Sequence, residues 1–310
     1  MRTRWRLERV SVGLLCASIL GVAGAAAAGD GRIEINAASA AAGGVTAGDL
    51  PGYPVTISLP GSYVLTESLV VAESDRSAVI ILADDVTLDL NGFRVVGPAS
   101  CQGSGAEVVC ENGGAARGID AGSRRANVRR GTVTGFGSTG VFLGRKSRIE
   151  DVTSIANGGN GIQLLGDGLV TGCIVMRNAF AGIVGQGSSI IRYNVVAGNK
   201  LTQISGSDGA AVVGNSVARG GASGIVLTDS VGNDGGSILD NSSYGNGQSG
   251  IVADEGSLVR GNSSRSNGSF GIFTPSLGYL QNNMRSNGTN LSASTGAMDA
   301  NLCDGSLTCL

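Results

Sequence analysis

Residues 161–178 read GIQLLGDGLVTGCIVMRN, and most of the chain is built on this pattern. Short apolar stretches alternate with polar residues and are broken by Gly or Asn every few positions. That periodicity belongs to strands of about three to five residues; a helix needs a longer 3.6-residue pattern with fewer Gly and β-branched residues. The opening Gly-Ile pair recurs. Gly-apolar pairs stand at Gly118-Ile119, Gly140-Val141, Gly161-Ile162, Gly182-Ile183, Gly224-Ile225, Gly250-Ile251 and Gly271-Ile272, with Gln203-Ile204 filling the one gap. The steps are 22, 21, 21, 21, 21, 26 and 21 residues.

Three further columns keep the same register. One is apolar: Ile149, Val170, Ile191, Val212, Ile238, Val259 and Leu280. The next runs Val152, Cys173, Asn194, Asn215, Asn241, Asn262 and Asn283, and the last Asn157, Asn178, Asn199, Gly220, Asn246, Asn267 and Asn287. A fixed period with three short strands per unit and Gly or Asn at each corner describes one coil of a parallel β-helix. Asn and Gly tolerate the left-handed backbone of a sharp corner, and stacked Asn side chains can hydrogen-bond from coil to coil.

The ends are less regular. Ile35-Asn36 followed by AASAAAGG predicts a short capping helix with Asn36 as N-cap and Gly43-Gly44 as its stop. The first nine residues, MRTRWRLER, precede an apolar, small-residue run ending Ala26-Ala28, which reads as a secretory signal peptide over residues 1–28. The expected β-helix domain is 29–310, with an N-terminal cap at 29–60, coils at 61–290 and a C-terminal cap at 291–310. Loss of residues 1–28 removes four Arg and Glu8, leaving 18 basic and 23 acidic residues and a net charge of −5. That balance supplies no electrostatic drive toward nucleic acid or an anionic membrane. Cys101 with Cys110, and Cys303 with Cys309, are close in sequence and read as two short-range disulfides of an exported chain; Cys173 falls in a core column and reads as a buried thiol.

PGYPVTISLPGSYVLTESLVV, then VTLDLNGFRVVGP with a following Cys pair, then the Gly-Ile and Asn repeats, then NLCDGSLTC, resembles a family of exported bacterial right-handed parallel β-helix repeat proteins with a pectin-lyase-like fold. The resemblance implies an all-β, right-handed solenoid in the periplasm, in the medium or at the cell surface. It implies no activity, because related β-helices include polysaccharide enzymes, phage tailspikes and adhesins.

Candidate chemistry is sparse. The chain has no histidine, which removes His-based triads and proton transfer. In VTLDLNG, Asp89 alternates with Leu88 and Leu90 and points out of the sheet, and Arg129 and Glu150 fall in the same row on later coils. These three are the weak catalytic candidates of a lyase or hydrolase, although a row of alternating charge is more simply an ion-pair ladder. Asp84 and Asp85 suit a turn. A second acidic row, Asp167, Asp208, Asp229, Asp254 and Glu255, follows the Gly-Ile strands, with Arg145-Lys146 at its head. Asp229, Asn233 and Asp234 lie in the turn that makes one coil 26 residues long. These positions are the candidate binding residues; Ca2+ is conceivable there, and no other cofactor or metal is indicated. Asn-x-Ser/Thr sites at Asn241, Asn262, Asn267, Asn287 and Asn290 coincide with or adjoin the Asn columns. The leading expectation is a non-catalytic exported scaffold that recognises an extracellular polysaccharide or cell-surface glycan along one long face. The alternative is a polysaccharide lyase or glycoside hydrolase.

Overall fold

Among the described residues, two parallel sheets of 20 and 11 strands wind together, and one small two-stranded sheet is antiparallel. The computed structural model describes residues 31–207, 209–228, 235–274, 279–292, 301–307 and 309; the proposed signal peptide, Asp208, Asp229, Asn233 and Asp234 lie outside them. Residues 32–310 form the unit described below.

Each coil contributes three strands. The Gly-Ile strands, such as Ile162–Leu164 and Ile183–Gly185, stack in the 11-stranded sheet and make the first face. The second face stacks Leu169–Thr171 on Ile190–Arg192, and the third stacks Ile174–Met176 on Val195–Ala197. Successive coils pair at about 4.8 Å. On the second and third faces the middle residue of each strand points inward, so Val170, Ile191, Val212 and Val175, Val196, Val217 are fully buried. Each such side chain contributes about 1.5–3 kcal/mol, which is how a chain with few aromatics builds a continuous core.

The two Asn columns are ladders. Asn194 Nδ2 donates to Asn215 Oδ1 at 2.9 Å, and the chain continues through Asn241, Asn262 and Asn282 to Asn301. The second ladder runs Asn157, Asn178 and Asn199, then resumes through Asn246, Asn267 and Asn287. Each carboxamide oxygen also accepts the backbone N–H of the coil before it, as from Asn178 N to Asn199 Oδ1 at 3.0 Å. The ladders thus satisfy corner groups that burial would otherwise leave unpaired.

Two features of the repeat differ from the sequence reading. The left-handed residue at each corner is the one before the ladder Asn: Asp151, Tyr193, Asp240, Arg177, Arg219 and Ser266 all have φ near 55°. The ladder Asn is kept for its hydrogen bonds, not for its backbone. The columns also end one residue earlier than the spacing suggests. Tyr279, not Leu280, stacks on Val259, and Asn282, not Asn283, receives the ladder from Asn262, because the last full coil is 20 residues long at this corner.

Stacking extends beyond residues 61–290 at both ends. Ile33–Ile35 pairs with Tyr63–Leu65, and Leu302-Cys303 pairs with Asn283-Met284. The capping helix is Ala37–Ala42, with Asn36 and Ser39 in a reciprocal capping box and Gly43 at its end. At the other end Cys303–Cys309 closes the last turn. Between the third-face strand Arg94–Val96 and the first-face strand Ile119–Ala121, the chain leaves the stack as a hairpin of Ser100–Gln102 and Val109–Glu111, held by Cys101–Cys110.

Candidate functional site

The row proposed from sequence does assemble, but not as a cleft. Arg129 is in register with Asp89 on one side and Glu150 on the other. Asp89 lies on the outward side of its strand, yet its carboxylate is sealed from solvent. Arg130 holds both carboxylate oxygens, Arg129 Nη2 lies 3.2 Å away, and Arg32 Nη1 reaches Oδ2 at 3.5 Å. The backbone N–H of Asn91 donates to Oδ1 at 2.9 Å. Burial pushes the Asp89 pKa up, but the hydrogen bonds from Arg130 and Asn91 and the neighbouring guanidinium charges outweigh it and hold the carboxyl below the ordinary value. Glu150 is taken by Arg148 at 3.0 Å. Asp84 and Asp85 are turn residues bound to Arg125, and Asp84 also accepts the Arg124 N–H at 2.8 Å. The cluster fastens early coils to one another.

Of the second acidic row, Asp167, Asp254 and Glu255 lie among the described residues. Asp167 pairs with Arg145 at 3.1 Å. Asp254 lines a small hollow with Ser207, Thr228 and Ser257, and Glu255 is exposed in the same turn. Among the described residues no three acidic, Cys or His side chains gather as a metal cluster. Cys173 is buried and its thiol is pushed up to about 12, chiefly by desolvation.

A different surface carries the available charge. On the third face one outward row runs Met176, Ala197, Ala218, Tyr244, Arg265 and Arg285 on six successive coils. The adjoining left-handed corner column supplies Arg177 and Arg219. Arg177, Arg219, Arg265 and Arg285 are exposed, and none forms an ion pair with another described residue. Tyr244 is 45% exposed, with the Arg265 guanidinium 5.4 Å from its ring centroid. The signal was present in the sequence: MRN, ARG, SRSN and MRSN each put an Arg one or two residues before the second ladder column. Its meaning depends on knowing that these corner residues point outward.

The upper end of this lane is roofed. The disulfide hairpin lies back along the stack, with Gly105 N donating to Gly198 O at 2.8 Å and Cys110 Sγ 3.8 Å from Asn157 O. Beneath it is a cleft of about 280 Å³ lined by Gly103, Ser104, Met176, Arg177, Gly198 and Arg219.

Residues 117–297 match the family model described as right handed beta helix region, well over half of the chain. The chain belongs to the right-handed β-helix family. Among solved structures, a double mutant of the periplasmic alginate epimerase AlgG superposes with a TM-score of 0.58 at 14% identity, covering 81% of this chain and 77% of that one. A single mutant of the same epimerase gives 0.52 at 15% identity over the same shares. The Azotobacter vinelandii mannuronan C-5 epimerase AlgE4 A-module gives 0.49 at 13% identity, covering 78% of this chain and 91% of that one. At these identities the likeness is one of fold. No curated protein sequence matches the chain.

Proposed function

We propose that this β-helix is an exported, non-catalytic glycan-binding scaffold that lays a polysaccharide along its third face. The observation that carries the reading is the lane itself: four exposed arginines without ion-pair partners among the described residues, and a half-exposed tyrosine ring, in two adjoining columns that span six coils. A flat stack with regular spacing presents repeated groups to a repeating ligand. The ring supplies an apolar surface for a sugar, and the guanidinium groups supply directed donors for its oxygens. Two disulfides fit an oxidising compartment, and no described helix is long and apolar enough to cross a membrane. The same fold is used by an alginate epimerase.

A glycoside hydrolase would need a carboxyl free to take or give a proton at a sugar ring. Asp89 is held ionised inside a cluster of arginines, and Glu150 is bound by Arg148, so neither is free for that work. The test is a glycan array with the purified mature protein, turnover being followed in parallel. Binding to a polysaccharide without depolymerisation supports the scaffold; chain cleavage by the purified protein overturns it.

A further inference from the structure

The hairpin cleft has a chemistry that the open lane lacks. Its floor is Gly198, whose backbone is left-handed (φ 63°) and on which a Cβ would meet Ser104 Oγ at 2.4 Å. The roof is the turn at Gly103-Ser104, and the hairpin presses so closely that a Cβ on Gly105 would meet Arg219 O at 2.9 Å. Arg177 and Arg219 line the cleft from coils two steps apart, about 10 Å along the stack. No carboxylate lines it. Glu107 and Glu111 of the hairpin pair with neither arginine, and the Ser104 hydroxyl has no hydrogen-bond partner among the described residues. Two guanidinium groups and a hydroxyl therefore border one open cleft with unspent donors and no counter-charge. Such a hollow selects an anion, and the planar forks of Arg suit a carboxylate or sulfate.

We infer that this cleft seats an anionic substituent, carboxylate or sulfate, carried on a sugar of the bound glycan, with the Cys101–Cys110 hairpin forming one wall of the site. The inference rests on the glycan-binding reading above and narrows it: the lane holds a chain of sugars, and the cleft requires a negative charge on one of them. Ser104 would donate to the same group.

The experiment is calorimetric titration of the mature protein with three oligosaccharides of equal length, one uronate-bearing, one sulfated and one neutral. Arg177→Gln, Arg219→Gln and their double variant are titrated beside it, and each is checked by thermal melting. The expected result is that the wild type binds at least one anionic oligosaccharide about tenfold or more tighter than the neutral one, and that the double variant loses this preference while keeping its melting temperature. Preference for the uronate over the sulfated ligand, or the reverse, identifies the anion. Equal binding of neutral and anionic sugars, or an anionic preference untouched in the double variant, overturns the cleft and leaves the glycan-binding scaffold standing. Binding of no oligosaccharide overturns both.

Discussion

The carboxamide of Gln203 occupies the place of the side chain that Gly220 lacks. On other coils a Gly-Ile glycine packs against a ladder Asn, and a Cβ on Gly140, Gly161, Gly182, Gly224, Gly250 or Gly271 would lie 2.6–2.8 Å from that Asn's Nδ2. At one coil the two residues are exchanged. Gln203 Oε1 accepts from Asn199 Nδ2 at 2.7 Å and from the Asn199 backbone at 3.2 Å, so the second ladder is continued by a side chain entering from the opposite side of the corner. Gly220 is small because Gln203 is there: a Cβ on it would lie 2.2 Å from Gln203 Nε2.

The exchange should be reversible only as a pair. Gly220→Asn alone places two carboxamides in one space, and Gln203→Gly alone removes the acceptor of the Asn199 backbone N–H and of one Nδ2 hydrogen, the other keeping Val175 O. Each single change should cost about 1–3 kcal/mol, and the double variant Gln203→Gly/Gly220→Asn should recover most of the loss. Urea denaturation of the four proteins measures the coupling; additive losses would show that the two positions are independent.

Asp89→Asn should destabilise the protein by about 1–3 kcal/mol at pH 7, because it removes the buried carboxylate that three partly exposed arginines share. Because the folded carboxyl titrates below its ordinary value, its contribution is fully present above about pH 4 and is lost as the pH falls through the lowered pKa. The gap between variant and wild type should therefore hold from pH 7 to 5 and narrow below 4. A gap that stays constant down to pH 2 would remove the ionic explanation.

Cys173 should resist alkylation in the native protein at pH 8. It is 1% exposed and its thiol is pushed up to about 12, so neither access nor thiolate is available. Mass spectrometry after iodoacetamide treatment should find it modified in denaturant alone, and rapid native labelling would contradict its place in the core.

Tyr244→Ala and Arg265→Gln should each weaken glycan binding about tenfold with no shift in denaturation midpoint, since both side chains stand outside the stack. Calorimetry with a ligand found on the array reads this directly. An unchanged affinity in both variants would move the binding surface off the third face.

The repeat was legible because its period is local and its signals are strict. A glycine is needed wherever a ladder Asn crowds the corner, and the inward Ile and Val positions recur at one spacing. The same locality explains the slips. Tyr279 and Asn282 take the places assigned to Leu280 and Asn283 because a coil shortened by one residue shifts the columns beyond it without altering the look of the pattern. Asp89 was placed on the correct side of its strand, but its cover comes from Arg32, 57 residues earlier, and Arg130, 41 residues later, and no periodicity reports such a meeting. Arg177 and Arg219 were overlooked because a lone Arg beside a column has no meaning until the corner geometry shows which way it faces. Gln203 and Gly220 each stood out as a break in a column; their compensation needs the packing.

The disulfide hairpin gives one stretch of this solenoid an unusual mechanical property. A stack of coils normally communicates only from neighbour to neighbour and can fray one rung at a time from either end. The hairpin departs just after Val96 and is fastened beside Asn157 and Gly198, with its turn against Arg219, so the rungs bridged in between are clamped from outside. That stretch must open as one block, and pulling on the chain from either terminus should meet its stiffest resistance there.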